Sequence, residues 1–180
     1  MVLKFPHFIL VMGVVLVCCE SRPKPAKGSL EISFTFDKPQ DIEPSYCAAI
    51  WLEDMNGQYV RSLFVTEYLS YGGYNDSTIC PQWSTGADWD NVTDDEFDAV
   101  TQATPPVGSH TLTFACEDHD LMTGQYTFFV QTHVIEELNV LYSGVIELGT
   151  ENTGFAEMES VSAHQVAKNT LSKVSAKYVP

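Results

Sequence analysis

Basic residues are scarce in this sequence: 9 Lys and Arg stand against 24 Asp and Glu in 180 residues, for a net charge of −15. A surface this acidic repels phosphate backbones and anionic headgroups, which argues against nucleic acid as a partner. Most of the cations lie near the ends, at Arg22, Lys24 and Lys27 and again at Lys168, Lys173 and Lys177. The middle of the chain is left strongly acidic and suits a basic partner or a divalent cation. Cysteine is also sparse, with 5 residues and no CxxC or Cys/His spacing of the kind that holds zinc. No nucleophile elbow is present, and no histidine stands beside a conspicuous Ser or Cys motif, so the chain offers no legible catalytic constellation. There are no internal repeats.

What is present begins with an address. Lys4 precedes an apolar run over residues 8–17 that only Gly13 interrupts, and the run stops at Cys18-Cys19-Glu20-Ser21. This is the layout of a secretory signal peptide. Leu16 lies three residues before Cys19 and a small residue stands directly before it, close to the pattern that leaves a cysteine for acylation. Residues 1–19 are therefore expected to be a lipoprotein-type signal with Cys19 lipidated, which places the protein in the bacterial cell envelope. Pro23 and Pro25 among three basic residues, with no apolar period, predict a tether over residues 20–28.

One domain follows, long enough to bury a core and short for two. Leu30, Ile32, Phe34 and Phe36 alternate with Glu31, Ser33 and Thr35, the period of a strand with one buried face. Residues 46–52 and 59–65 are β-rich and flank Asp54-Met55-Asn56-Gly57, where Asn-Gly supplies the positive φ angles of a tight hairpin. Residues 111–115, 126–134 and 140–148 are again β-branched and aromatic. Short strands at this spacing predict an all-β sandwich. Between them, residues 67–108 form a long insertion without clear period. Toward the end, Ala163, Val166, Ala167 and Leu171 fit a weak helix, and Val174, Ala176 and Tyr178 alternate as a last strand.

Three segments carry a resemblance. Ala48-Ala49-Ile50-Trp51-Leu52-Glu53-Asp54 with Asn56-Gly57-Gln58-Tyr59-Val60-Arg61-Ser62-Leu63 is similar to a tryptophan strand, a glycine turn and a return strand. The stretch from Asp98 through Thr104 to Pro105-Pro106, and Gly124-Gln125-Tyr126-Thr127 opening a long strand, follow in the matching order. Together they resemble the predicted periplasmic family called domain of unknown function 2271, whose members are similar to the immunoglobulin-like domain of flagellar hook-capping proteins. The resemblance implies an immunoglobulin-like antiparallel β-sandwich with a long irregular insertion over residues 29–180. The stretch Asp98 to Thr104 also resembles a degraded flavinylation signature. It would make Thr104 the acceptor of a covalent FMN and Asp98 its upstream acid, with Gln102 in place of the usual glycine.

Three further sets of residues invite roles. Asp88, Asp90, Asp94 and Asp95 supply oxygen ligands at short spacing, as calcium requires. Against this, Thr93-x-x-Glu96 is a capping box, which explains the acids at a helix start without an ion and is the preferred reading. Trp83 and Trp89 with Tyr68, Tyr71 and Tyr74 could form an aromatic contact surface, whereas Trp51 belongs to a strand and reads as core. Cys47, Cys80 and Cys116 remain after the leader, an odd number in an oxidising compartment. A Cys80 bond to Cys47 or to Cys116 would pin the insertion to the sandwich.

The sequence thus points to a membrane-tethered extracytoplasmic binding or structural module, with no catalytic activity and no cofactor, whose partner is another envelope protein. The alternative is an FMN carrier in extracytosolic electron transfer. Replacing Cys19 with Ala is expected to release the protein from the membrane fraction, and globomycin is expected to block processing of the unaltered chain. Membrane association that survives Cys19→Ala contradicts the lipid anchor.

Overall fold

The computed structural model describes residues 23–39, 42–136, 138–161 and 169–180. The expected signal over residues 1–19, Cys19 and the helical pattern at Ala163, Val166 and Ala167 lie outside the described residues. Alternation decides the first strand, β1 (Ser29–Phe36), whose even positions Leu30, Ile32, Phe34 and Phe36 are buried while the odd ones are half-exposed. Next in the chain come β2 (Ala48–Asp54), β3 (Tyr59–Thr66) and the two-residue β4 (Thr101–Gln102). They are followed by β5 (Gly108–Ala115), β6 (Gly124–Ile135), β7 (Leu138–Leu148), β8 (Asn152–Phe155), β9 (Glu157–Val161) and β10 (Leu171–Val179).

These strands form two sheets, one of order β5-β1-β10-β8 and one of order β4-β3-β2-β6-β7-β9. All pairings are antiparallel except β3 with β4. The inward residues of both sheets meet in one core. Leu30, Ile32 and Tyr178 come from the four-stranded sheet, and Ile50, Leu52 and Phe128 from the six-stranded sheet. The result is the expected all-β sandwich. Gly154 and Gly144 lie where β8 crosses β7: a Cβ on Gly154 would overlap the Val145 carbonyl, and one on Gly144 would overlap the Phe155 carbonyl and the Phe128 ring.

Four local expectations change. The hairpin between β2 and β3 turns with a positive φ at Gly57 alone, +76°, and Asn56 keeps a negative φ. The Asp54 carboxylate closes the turn by accepting from the Asn56 and Gln58 amides at 2.8 and 3.0 Å, bonds that hold its pKa below the usual value, the Gln58 bond foremost. The expected tether is docked from Lys24 onward. Thr123 N donates to Lys24 O at 2.6 Å, Ala26 N to Leu121 O at 2.8 Å, and Ala26 is fully buried. Leu171, read as helical, is the first residue of β10. There Lys173 takes a φ of +54° in a bulge against Ser33 and Thr35 of β1.

The fourth change concerns residues 67–108, an irregular insertion that carries short helical elements of its own. They fold into α1 (Glu67–Ser70), a 3₁₀ turn at Gly73–Asn75, α2 (Pro81–Ala87), a second 3₁₀ turn at Trp89–Asn91, and α3 (Asp94–Val100). This helical cap packs on the outer face of the six-stranded sheet. A second core forms there from Cys47, Ala49, Trp51, Val65 and Leu141 of the sheet side and Leu69, Ile79, Cys80, Trp83, Trp89 and Val100 of the cap. β2 is consequently buried on both faces over its first five residues.

Candidate functional site

The cap is where the aromatic and acidic candidates converge, and its packing separates them into buried and exposed groups. Trp83 and Trp89 are buried, at 0% and 4% exposure. Expected as contact residues, they are instead the centre of the second core, with ring centroids 5.0 Å apart. Each indole N–H has an internal acceptor, Ser62 Oγ at 2.8 Å for Trp83 and the Ser70 carbonyl at 3.1 Å for Trp89. The physical reason is the two-sided sheet: the outer strip of Ala49, Trp51 and Val65 needs apolar cover, and large rings supply it. Trp51 is core, as its strand position implied, and stacks on Phe129 at 4.8 Å and 8°.

The tyrosines go the other way. Tyr71 is 72% exposed and Tyr68 is 63% exposed. Together with Glu67, Gly72 and Gly73 they line an open concavity of about 430 Å³. Two neighbours fix them. The Tyr71 ring meets Phe97 edge-on at 5.1 Å, and the Tyr68 ring lies so close over Gly73 that a Cβ there would stand 2.8 Å from it. Tyr74 is half-buried and donates to Asp90 Oδ1 at 2.8 Å, lining a separate, more polar concavity with Asp88 and Asp90.

The carboxylates do not converge. Asp88, in the left-handed region at φ +46°, accepts both bonds from Asn91 Nδ2 at 3.0 Å, and Asp90 is engaged by Tyr74. Asp94 and Asp95 lie exposed in the first turn of α3, where negative charge favours the helix dipole. Thr93 caps that turn, its Oγ1 accepting from Glu96 N at 3.2 Å. Among the described residues no group of three or more His, Cys, Asp or Glu side chains is arranged to hold a metal ion. The four carboxylates weighed as calcium ligands are thus divided between a helix start and two local hydrogen-bond arrangements, and Thr93 caps the helix as the capping box implied.

Asp98 is exposed late in α3, and Thr104 is exposed in the segment between β4 and β5. Gln102, in place of the signature's glycine, is held in β4 opposite Thr66. The three thiols are free and buried, so neither expected disulfide is formed in this structure. Cys116 lies in the main core, while Cys47 and Cys80 share the second one. Burial raises the pKa of all three, most strongly at Cys80.

Two polar arrangements carry no motif in the sequence. Ser45 Oγ lies 2.7 Å from His133 Nδ1, and the ring's Nε2 lies 2.7 Å from the Glu136 carbonyl. A carbonyl can only accept, so Nε2 donates to Glu136, and Ser45 Oγ also donates to the His133 carbonyl at 3.0 Å. The pair braces the approach to β2 against the end of β6, where His133 N also donates to Cys47 O at 2.7 Å. His119 is buried against Phe114 with Nδ1 lacking a hydrogen-bond partner. Burial, and secondly Arg61, lower its pKa. The folded state thus favours the neutral ring, and acidification below the usual histidine range costs stability.

A family described as "Predicted periplasmic protein (DUF2271)" matches residues 29–164, and the chain belongs to that family. No curated protein matches the chain, and no solved structure matches it. Among the described residues no helix is long and apolar enough to cross a membrane.

The cap at α3 has a direct test. Thr93→Ala is expected to cost about 0.5–2 kcal/mol of stability, as loss of an N-cap does. Calcium is expected to leave the melting temperature unchanged in both proteins. A bound ion at a hundredfold excess over its dissociation constant would add about 2.7 kcal/mol, and a rise of that size abolished by Asp88→Asn or Asp90→Asn contradicts this assignment.

Proposed function

We propose that this periplasmic family member is a non-catalytic binding module, held at the membrane through a lipid on Cys19, that captures a basic peptide segment of another envelope protein. The observation that carries the reading is the exposed tyrosine pair on the cap. Tyr68 and Tyr71 keep large aromatic faces in water beside a concavity lined by Glu67, Gly72 and Gly73. Two exposed rings side by side at a concavity offer a contiguous aromatic patch, the kind of surface that partners cover. Gly72 is part-exposed beside the rings, and the buried Gly73 seats the Tyr68 ring.

The partner's chemistry follows from charge. An ammonium or guanidinium placed over a tyrosine face gains from the ring quadrupole, about 0.5–2 kcal/mol depending on desolvation. Glu67 adds a carboxylate at the rim, and the net charge of −15 attracts cationic segments over longer range. Anionic ligands are repelled by the same field.

Titration of the protein with Arg/Lys-containing oligopeptides, followed by NMR, tests the reading. Shifts are expected to cluster at Tyr68, Tyr71, Gly72 and Gly73. Tyr71→Ala is expected to weaken binding about 2- to 30-fold, the size of one cation–π contact, with little change in melting temperature because the ring is exposed. Equal binding of Glu-containing peptides, or shifts mapping to another surface, contradicts it.

A further inference from the structure

The second core brings together two thiols that the sequence separates by 33 residues. Cys47 lies at the approach to β2, on the face it shares with Ala49 and Trp51; Cys80 stands at the N-terminal boundary of α2. The Cys80 sulfur is 3.5 Å from the Cys47 carbonyl oxygen and 4.0 Å from that of Gln131, so it rests directly on the sheet at the residue that bears the other thiol. Cys80 is held there by its surroundings. Its backbone takes φ +45° and ψ +52°, a conformation a non-glycine residue adopts only under constraint. Its amide donates to Asn139 Oδ1 at 2.9 Å, and Asn139 Nδ2 returns a bond to the Thr78 carbonyl at 2.7 Å. Cys116 is in the other core, on the far side of the six-stranded sheet, with Phe114, Leu121 and Tyr126.

We propose that Cys47 and Cys80 form a disulfide in the exported protein, stapling the helical cap to the sheet, and that Cys116 remains a thiol. The proposal rests on the extracytoplasmic compartment and not on the peptide-binding reading. Both thiols lose their protons as an S–S bond forms between their sulfurs. The two electrons pass to the disulfide of an extracytoplasmic thiol oxidase, which leaves as a dithiol. Burial raises the pKa of each thiol in the folded protein, which makes the thiolates rare and places the exchange before the cap closes. Once formed inside the second core, the bond is shielded from soluble reductants. Among the described residues, Cys116 is the one cysteine of its core.

The full chain, exported and purified without reductant, should be denatured, labelled with N-ethylmaleimide and mapped by mass spectrometry. The expected result is one label, on Cys116, and one cross-linked peptide pair containing Cys47 and Cys80. Cys116→Ala should take no label and keep the Cys47–Cys80 cross-linked peptide pair. Reduction or Cys80→Ala should lower it by about 4–16 °C, the range expected of one structural disulfide in a domain of this size. Three labels on the exported chain, or a cross-link that includes Cys116, overturns the proposal. Because the mapping is done on the unaltered protein, it decides the matter even if a cysteine variant fails to fold.

Discussion

The outer face of the six-stranded sheet carries Ala49, Trp51, Val65 and Leu141, a strip of apolar surface as large as one side of a small core. Left in water it would be both costly and sticky. The cap meets it with Trp83 and Trp89, two rings that each remove roughly 150–250 Å² from water. At about 25 cal/mol per Å², each contributes about 4–6 kcal/mol of gross hydrophobic free energy before conformational entropy is charged against it. The rest of the cap is arranged around that burial. Ser62 and the Ser70 carbonyl receive the indole N–H groups, so the rings go in without stranding a donor.

The helices of the cap could not stand alone. They are 4, 7 and 7 residues long, below the length at which an isolated helix persists in water. Packing on the sheet holds them, and their outward faces are consequently free to be acidic. That division explains why the carboxylates of this region serve caps and local hydrogen bonds, and why Tyr68 and Tyr71 can stay exposed without endangering the fold. Binding surface and stability are assigned to different sides of the same short elements.

Much of the sandwich was legible in the sequence because alternation is a local signal: β1 and the β2–β3 hairpin announce themselves residue by residue. β2 also showed why the cap was not. Its first five residues are buried on both sides, and a run without alternation does not say what covers the second face. Trp83 and Trp89 read as contact residues by their place in an aperiodic stretch, and β8 and β9 escape sequence reading because they are short. The N-cap at Thr93 was readable because a capping box spans four residues. The Ser45–His133 contact and the neighbourhood of Cys47 and Cys80 span dozens of residues and leave no mark in either local sequence.

Native-state hydrogen exchange tests most directly whether cap and sheet are one cooperative unit. The informative amides are those of Cys80 and Trp83, which donate to Asn139 and Gln131 of the sheet at 2.9 and 3.2 Å. Joint burial predicts that these two amides open with the same free energy as the interior of β2, in a single global event. If Cys80 and Trp83 exchange through a low-energy opening while β2 stays fully protected, the cap is a detachable lid and the account of a sheet stabilised from both faces is wrong.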